Sequence, residues 1–198
     1  MKAKETAVIL IEFQNEFCKP KGKLYEVVKD EVQRQNTVAN AVKLATDARA
    51  KGCVIIHCPF VFDEKWAEKH CMVGILHKLK EGGAFRRGTW GAELIDELRP
   101  VKGDVVLEGK RALSAFTNTG LKDILKERDI RNLACAGFLS NVCVEATARA
   151  AYDRGYQVVV VKDATATTSR ANQEYVEREI CPVLGAAMTT KELLRSLE

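Results

Sequence analysis

Three side chains that could cooperate in nucleophilic catalysis each follow a strand-like run of apolar residues. Glu12 stands within the run AVILIEF, near its end, Lys110 lies in VVLEGKRALSAF, and Cys143 opens the helical stretch of GFLSNVCVEATARAA. A thiol at the start of a helix is a nucleophile whose ionised form the helix dipole favours. A nearby ammonium group adds to that effect, and a carboxylate can accept the thiol proton. None of the three histidines is placed to activate the thiol, so a carboxylate base fits better than a Cys–His pair.

Each of these residues also has an ordinary interpretation. Cys143 could be a small buried hydrophobic residue, as we expect for most of the other six cysteines. Lys110 could be a solvated surface lysine. Glu12 could be a turn or helix-capping carboxylate beside Gln14 and Asn15. However, a charge inside an apolar run is costly unless it is paired, and Lys110 would supply the partner.

The elements that position these residues follow from apolar runs separated by stretches of helical period. The runs predict strands buried on both faces, at Ala7–Phe13, Cys53–Cys58, Asp104–Leu107, Leu133–Gly137 and Tyr156–Val161. Helices are predicted at Lys29–Lys51, Leu121–Arg128 and Val144–Arg154, with a possible sixth strand at Val183–Met188 and a last helix at Lys191–Leu197. This order predicts a Rossmann-like α/β fold with three layers (α/β/α) and a doubly wound, mostly parallel sheet of five to six strands, in one domain over residues 1–198. Ligands of such sheets gather beyond the carboxyl ends of the strands, where all three candidate residues lie.

Composition narrows the class of protein further. The seven cysteines are an odd number and form no CxxC motif, which favours a reducing compartment and a cytoplasmic location. The net charge of +4 is modest and no basic run is interleaved with aromatics, so we expect no nucleic-acid partner. No apolar run approaches the roughly 20 residues that cross a bilayer. The stretch after the first strand, IEFQNEF, lacks the GxGxxG of a dinucleotide-binding domain.

Four stretches of the chain carry a resemblance to a known family. They are AVILIEFQNEFC, GTWGAELIDEL, VLEGKRALSAFTNTGL and GFLSNVCVEATARAAYDRGYQVVVVKDATAT, which together span most of residues 6–170. In type and order they resemble the isochorismatase-like cysteine hydrolase superfamily. That superfamily includes isochorismatases, nicotinamidases and N-carbamoylsarcosine amidases.

The resemblance implies roles for individual residues. It places the nucleophile at Cys143, the lysine at Lys110, and the catalytic aspartate at Glu12, where this chain departs from the family by one methylene. The oxyanion hole falls on the backbone N–H groups of Leu139 and Cys143, next to a non-proline cis peptide between Phe138 and Leu139. The stretch HCPFVFDEKW lacks the Asp-x-His motif of metal-dependent nicotinamidases, so we expect no metal and no cofactor.

Six residues are predicted to contact the substrate, four of them as apolar or stacking walls. They are Gln14, Phe17, Phe60, Trp90, Phe116 and Phe138. About half of the aromatic residues could instead be plain core. Arg86 and Arg87 could bind a substrate carboxylate or form an exposed basic loop, and the charged stretch 61–87 could form a lid.

Together these features predict a cysteine hydrolase that acts on a small carboxamide, carbamoyl or related C–N substrate through a covalent thioester. The resemblance also implies a homo-oligomer, either a dimer or a tetramer. Isochorismate, an ether-type substrate, stays open. The alternative is a catalytically impaired protein of the same fold, in which Glu12 has ended catalysis and the chain has a binding or interaction role.

Overall fold

A six-stranded, all-parallel sheet forms the centre of the computed structural model, which describes residues 1–198. The strands are β1 (Thr6–Ile11), β2 (Val54–Cys58), β3 (Val105–Val106), β4 (Asn132–Phe138), β5 (Gln157–Ala166) and β6 (Gly185–Met188). Their order in the sheet is β3-β2-β1-β4-β5-β6. The chain therefore starts in the middle, builds outward to one edge, and returns to build outward to the other. All the strands run parallel, and the order in which they are added to the sheet reverses between β1 and β4. This reversal confirms the doubly wound prediction.

Ten α-helices connect or flank the strands. They are α1 (Asn15–Cys18), α2 (Tyr25–Gln35), α3 (Thr37–Ala50), α4 (Glu64–Ala67), α5 (Gly74–Gly82), α6 (Leu121–Glu127), α7 (Glu145–Tyr152), α8 (Arg170–Tyr175), α9 (Cys181–Leu184) and α10 (Thr190–Ser196). Two π-helical turns, Ser140–Val144 and Val176–Ile180, lead into α7 and α9, and short 3-10 turns lie at Ala3–Glu5, Trp90–Ala92 and Asp96–Leu98. None of the helices combines the length and the apolar character that crossing a membrane would require.

The two faces of the sheet carry separate hydrophobic cores. Along β1, Val8 and Leu10 belong to one core, whereas Ala7, Ile9 and Ile11 belong to the other. Side chains of α2, α3 and α10 cover the first face, and side chains of α6, α7 and α9 cover the second. Both faces of β1 are buried, which explains why its sequence is apolar throughout and does not alternate.

Several predicted boundaries were wrong for local reasons. The predicted helix Lys29–Lys51 is two helices, because Asn36 adopts a left-handed conformation (φ 51°) that ends α2 and precedes α3. Asparagine is one of the few residues that tolerate this conformation. The first strand ends at Ile11 because Glu12 is also left-handed, with φ of 58°. The stretch 61–87, predicted as a loop or lid, contains α4 and α5.

Candidate active site

The three candidate residues follow β1, β3 and β4. They meet beyond the carboxyl ends of these strands, near the point between β1 and β4 where the strand order reverses. Glu12 comes directly after β1, and its N–H donates to the carbonyl of Cys58 at 3.0 Å. The end of β4 approaches β1 closely at Gly137, where a Cβ atom would lie 1.9 Å from the carbonyl oxygen of Ile11. Gly137 also has φ of 125°, so only glycine fits at the start of the segment that carries Cys143.

Lys110 and Glu12 form a buried ion pair beside the thiol. The Lys110 ammonium donates to Glu12 Oε1 and, at 2.9 Å, to the carbonyl of Ala112. Its Nζ lies 3.8 Å from Cys143 Sγ and 5.1 Å from the centre of the Phe60 ring. Lys110 is 1% exposed and Glu12 is 4% exposed, so water screens their attraction only weakly.

The backbone around Cys143 is a π-helical turn, and not the start of an α-helix as the sequence predicted. The turn spans Ser140–Val144, and α7 begins at Glu145. Thr147, which is fully buried, donates its hydroxyl to the carbonyl of Cys143 at 2.7 Å and accepts the N–H of Ala115 at 2.9 Å. Thr147 thus connects the Cys143 turn to the segment after Lys110. π-Helical turns inside helices occur frequently at functional sites.

The environment of Cys143 raises the pKa of its thiol. Burial raises its pKa well above the ordinary value, the charge of Glu12 acts in the same direction, and the Lys110 ammonium opposes both. Burial alone would lower the pKa of Lys110, but the charge of Glu12 and its hydrogen bond, together with the neighbouring thiols of Cys143 and Cys58, raise it. The Lys110 ammonium thus acts in the direction that the sequence analysis expected, whereas the loss of water around the sulfur and the charge of Glu12 act against it.

A cavity of about 680 Å³ reaches the Glu12 carboxylate and the Cys143 thiol. Fourteen of its nineteen lining residues are hydrophobic. Phe17, Phe60 and Phe85 contribute aromatic rings, and α5 contributes aliphatic side chains. No group of three or more His, Cys, Asp or Glu side chains is arranged to hold a metal ion.

Comparison with known proteins identifies the family. The family model described as the isochorismatase domain matches residues 6–192. The chain belongs to the isochorismatase family of hydrolases. Ureidoacrylate amidohydrolase RutB from Agrobacterium fabrum is 32% identical over 177 residues, covering 83% of this chain and 77% of the relative.

Solved structures of the family share the fold. A cysteine hydrolase from Pseudomonas syringae pv. phaseolicola is 29% identical with a TM-score of 0.85, over 98% of this chain and 93% of its own. N-carbamoylsarcosine amidase from Thermoplasma acidophilum is 27% identical with a TM-score of 0.75, over 97% of this chain and 98% of its own. The cis peptide that the family resemblance implied between Phe138 and Leu139 is present.

Of the predicted substrate contacts, Phe17 and Phe60 line the cavity of this isochorismatase-family protein, as does Leu139. Trp90 does not, because its side chain lies 46% exposed on the surface. Phe116 packs instead against Tyr156, with ring centres 6.2 Å apart, and beneath the guanidinium group of Arg154.

Two further predicted contacts are supporting residues behind the cavity wall. Phe138 is fully buried and stacks on Phe17, with ring centres 5.0 Å apart. Gln14 is also fully buried, and its side-chain amide hydrogen-bonds to backbone groups. Its oxygen accepts the N–H of Phe60 at 2.9 Å, and its nitrogen donates to the Phe60 carbonyl at 2.8 Å. Gln14 therefore holds Phe60 in place and does not line the cavity.

The two arginines of the 61–87 stretch also lie outside the cavity. Arg86 lies 3.6 Å from Glu64 and Arg87 lies 3.8 Å from Asp63, and both guanidinium groups are largely exposed. These acidic neighbours occupy the arginines, so the interpretation as an exposed basic loop is the one the structure favours.

Glu16 is a positioning residue that the sequence analysis missed. Its side chain is buried, and its carboxylate accepts the N–H of Lys23 at 2.7 Å and the N–H of Phe85 at 3.0 Å. Gly91 leaves room for it, since a Cβ there would lie 2.6 Å from Glu16 Oε1. The available indication was a second acidic residue soon after the first apolar run, in QNEF. Its partners are backbone groups, which no sequence pattern reveals.

Proposed function

We propose that this protein is a cysteine amidohydrolase that cleaves the C–N bond of a small carboxamide, carbamoyl or related compound, with Cys143 as nucleophile. The observation that carries the proposal is the buried ion pair of Glu12 and Lys110, whose ammonium lies 3.8 Å from Cys143 Sγ. A carboxylate and a cation held together next to a thiol supply a base and a charge stabiliser at the same point.

The first half-reaction begins with the neutral thiol. Because burial raises the pKa of Cys143, the thiol gives its proton to Glu12 as Sγ attacks the carbonyl carbon. The S–C bond forms and the carbonyl electron pair moves to oxygen, where the backbone N–H groups of Leu139 and Cys143 stabilise it. Glu12 then passes the proton to the leaving nitrogen, the C–N bond breaks, and a thioester remains on Cys143.

The second half-reaction returns the enzyme to its starting state. Glu12 accepts a proton from water as the water oxygen attacks the thioester carbonyl. The C–S bond breaks, the thiolate leaves with Lys110 beside it, and Glu12 returns the proton to sulfur. The products are a carboxylic acid and ammonia or an amine. Lys110 stays charged throughout, and its charge favours both the ionised carboxylate and the departing thiolate.

Two relatives support the C–N specificity of this proposal. Ureidoacrylate amidohydrolase and N-carbamoylsarcosine amidase are both named for hydrolysis at a C–N bond. Both relatives match more than 80% of this chain. These two relatives therefore support the type of reaction, hydrolysis of a C–N bond, and do not identify the group that the apolar cavity binds.

The test is release of ammonia from a panel of amides and ureides, with trapped protein adducts measured by mass spectrometry. We expect Cys143→Ala to abolish turnover while circular dichroism stays unchanged. Cys135→Ala, which removes another buried thiol from β4, is the matched control and should keep activity.

An acyl adduct on any cysteine other than Cys143, or turnover that survives Cys143→Ala, would refute the assignment. A panel without any turnover, together with a Cys143 thiol that resists alkylation, would support the catalytically impaired alternative.

A further inference from the structure

The inner wall of the active-site cavity is aromatic and rigid. Phe85 contacts Phe17 and Phe60 with ring centres 5.4 Å and 5.6 Å apart, and each of these three side chains is at most 4% exposed. Phe85 has φ of 55°, a conformation that is unusual for a bulky residue. The Glu16 carboxylate holds its N–H, and its carbonyl accepts the N–H of Phe62. Conformations of this kind cluster at ligand clamps.

The outer wall is the apolar side of α5. Ile75, Leu76 and Leu79 line the cavity from this helix, yet α5 has no fully buried residue. These side chains therefore keep apolar surface that the protein itself does not cover. An apolar ligand group in the cavity would bury that surface, which is favourable in proportion to the area removed from water.

The cavity offers little to a negatively charged substrate. Lys110 is already paired with Glu12, and the Lys23 ammonium donates to the carbonyls of Gly82 and Gly83 at 3.1 Å and 2.6 Å. Lys78 is the remaining lysine of the lining, and it is exposed on α5. A carboxylate placed inside would lose water without gaining a free buried cation, which is costly.

Resting on the proposed function, we propose that the substrate is a primary amide of a hydrophobic carboxylic acid, with an aliphatic or aryl acyl group in this cavity. A volume of about 680 Å³ lies in the range that holds drug-sized ligands, roughly 300–1,000 Å³. The acyl group stays bonded to Cys143 after ammonia leaves. Its contacts with the wall are therefore available in both half-reactions, whereas a group on the leaving nitrogen would serve only the first.

The test compares two homologous series, straight-chain primary amides from acetamide to hexanamide and the matching N-alkyl acetamides. Burial of one methylene corresponds to about fourfold in kcat/KM. We therefore expect a rise of about two-hundredfold over the four added methylenes of the first series and little change in the second. Binding of the same primary amides to Cys143→Ala, measured by calorimetry, should strengthen in parallel.

A paired substitution on α5 locates the effect. Leu79→Gln should reduce the rise with chain length at least about fourfold, the effect of losing roughly one methylene or more of apolar contact. Val73→Gln is the control, because Val73 is 67% exposed at the start of the same helix and does not line the cavity.

Two kinds of failure can be told apart. If acetamide or a ureide is hydrolysed through Cys143 but kcat/KM does not rise along the primary amides, the hydrophobic-substrate proposal is overturned and the amidohydrolase proposal stands. A rise in the N-alkyl series alone would overturn the acyl assignment. If neither an amide nor a ureide is hydrolysed in a Cys143-dependent way, the proposed function itself fails.

Discussion

The buried pair of Lys110 and Glu12 should reveal itself as a strong energetic coupling between two substitutions. We consider Glu12→Gln, Lys110→Met and the double variant. Removing one partner of a buried ion pair leaves an uncompensated charge or acceptor and costs about 3–5 kcal/mol. Lys110 is 1% exposed, so its ammonium cannot turn outward to recover water in Glu12→Gln. Its remaining contacts would be the Ala112 carbonyl, the Cys143 sulfur and the Phe60 ring.

The double variant separates coupling from two independent losses. If the two residues stabilise each other, the double variant should lose no more than a single variant, about 3–5 kcal/mol, because no buried charge is left behind. Independent effects would instead add to about 6–10 kcal/mol. The difference between these two expectations far exceeds the deviation from additivity that is usual for sites not in contact, roughly 0.3–0.5 kcal/mol.

Urea unfolding at neutral pH, followed by circular dichroism and tryptophan fluorescence, measures these free energies. The control is Glu108→Gln, which removes a carboxylate from an exposed position close to Lys110 in the chain. It should change stability by less than about 0.5 kcal/mol. Additive losses in the double variant would refute the coupling, and with it the electrostatic basis of the proposed site.

Three further predictions concern a titration, a positioning contact and the thiol. Burial lowers the pKa of His57, against the opposing effect of Asp104, so the folded state binds fewer protons below about pH 6.5. The free energy of unfolding should then fall as the pH falls from about 6.5 to the lowered pKa. Urea unfolding of His57→Gln should show a weaker pH dependence in this range, and an equally steep dependence would contradict this prediction. Glu16→Gln should cost about 1–3 kcal/mol and speed amide hydrogen exchange at Phe85, whereas unchanged exchange would argue against its positioning role. Lys110→Met should move the pH midpoint of Cys143 alkylation upward, because the ammonium lowers the pKa of the thiol, and an unmoved midpoint would count against that effect.

The strand pattern predicted the fold because nearly every residue of the central strands is buried on both faces. Strands buried on both faces are apolar throughout, and such a run can be recognised from the sequence without knowledge of the tertiary structure. The ends of the elements were harder to predict. Asn36 and Glu12 end their elements through left-handed backbone conformations, and a glutamate gives no indication that it will adopt one. Val183 and Leu184 extend an apolar run but belong to α9, so β6 begins only at Gly185.

The meeting of Glu12, Lys110 and Cys143 was predictable because it depends only on topology, which places the carboxyl ends of β1, β3 and β4 on one edge of the sheet. The residues of the cavity wall were not predictable, because they depend on which side of a loop faces inward. Trp90 and Phe116 are as aromatic as Phe17 and Phe60 but lie elsewhere.

The state of the thiol shows why a correct set of residues does not by itself give the chemistry. A helix start and a lysine both favour thiolate, yet burial and the charge of Glu12 raise the pKa of Cys143 more than Lys110 lowers it. In the mechanism we propose, the thiol gives up its proton during the attack and not before it, and Glu12, which raises the pKa of the thiol, is also the acceptor of that proton.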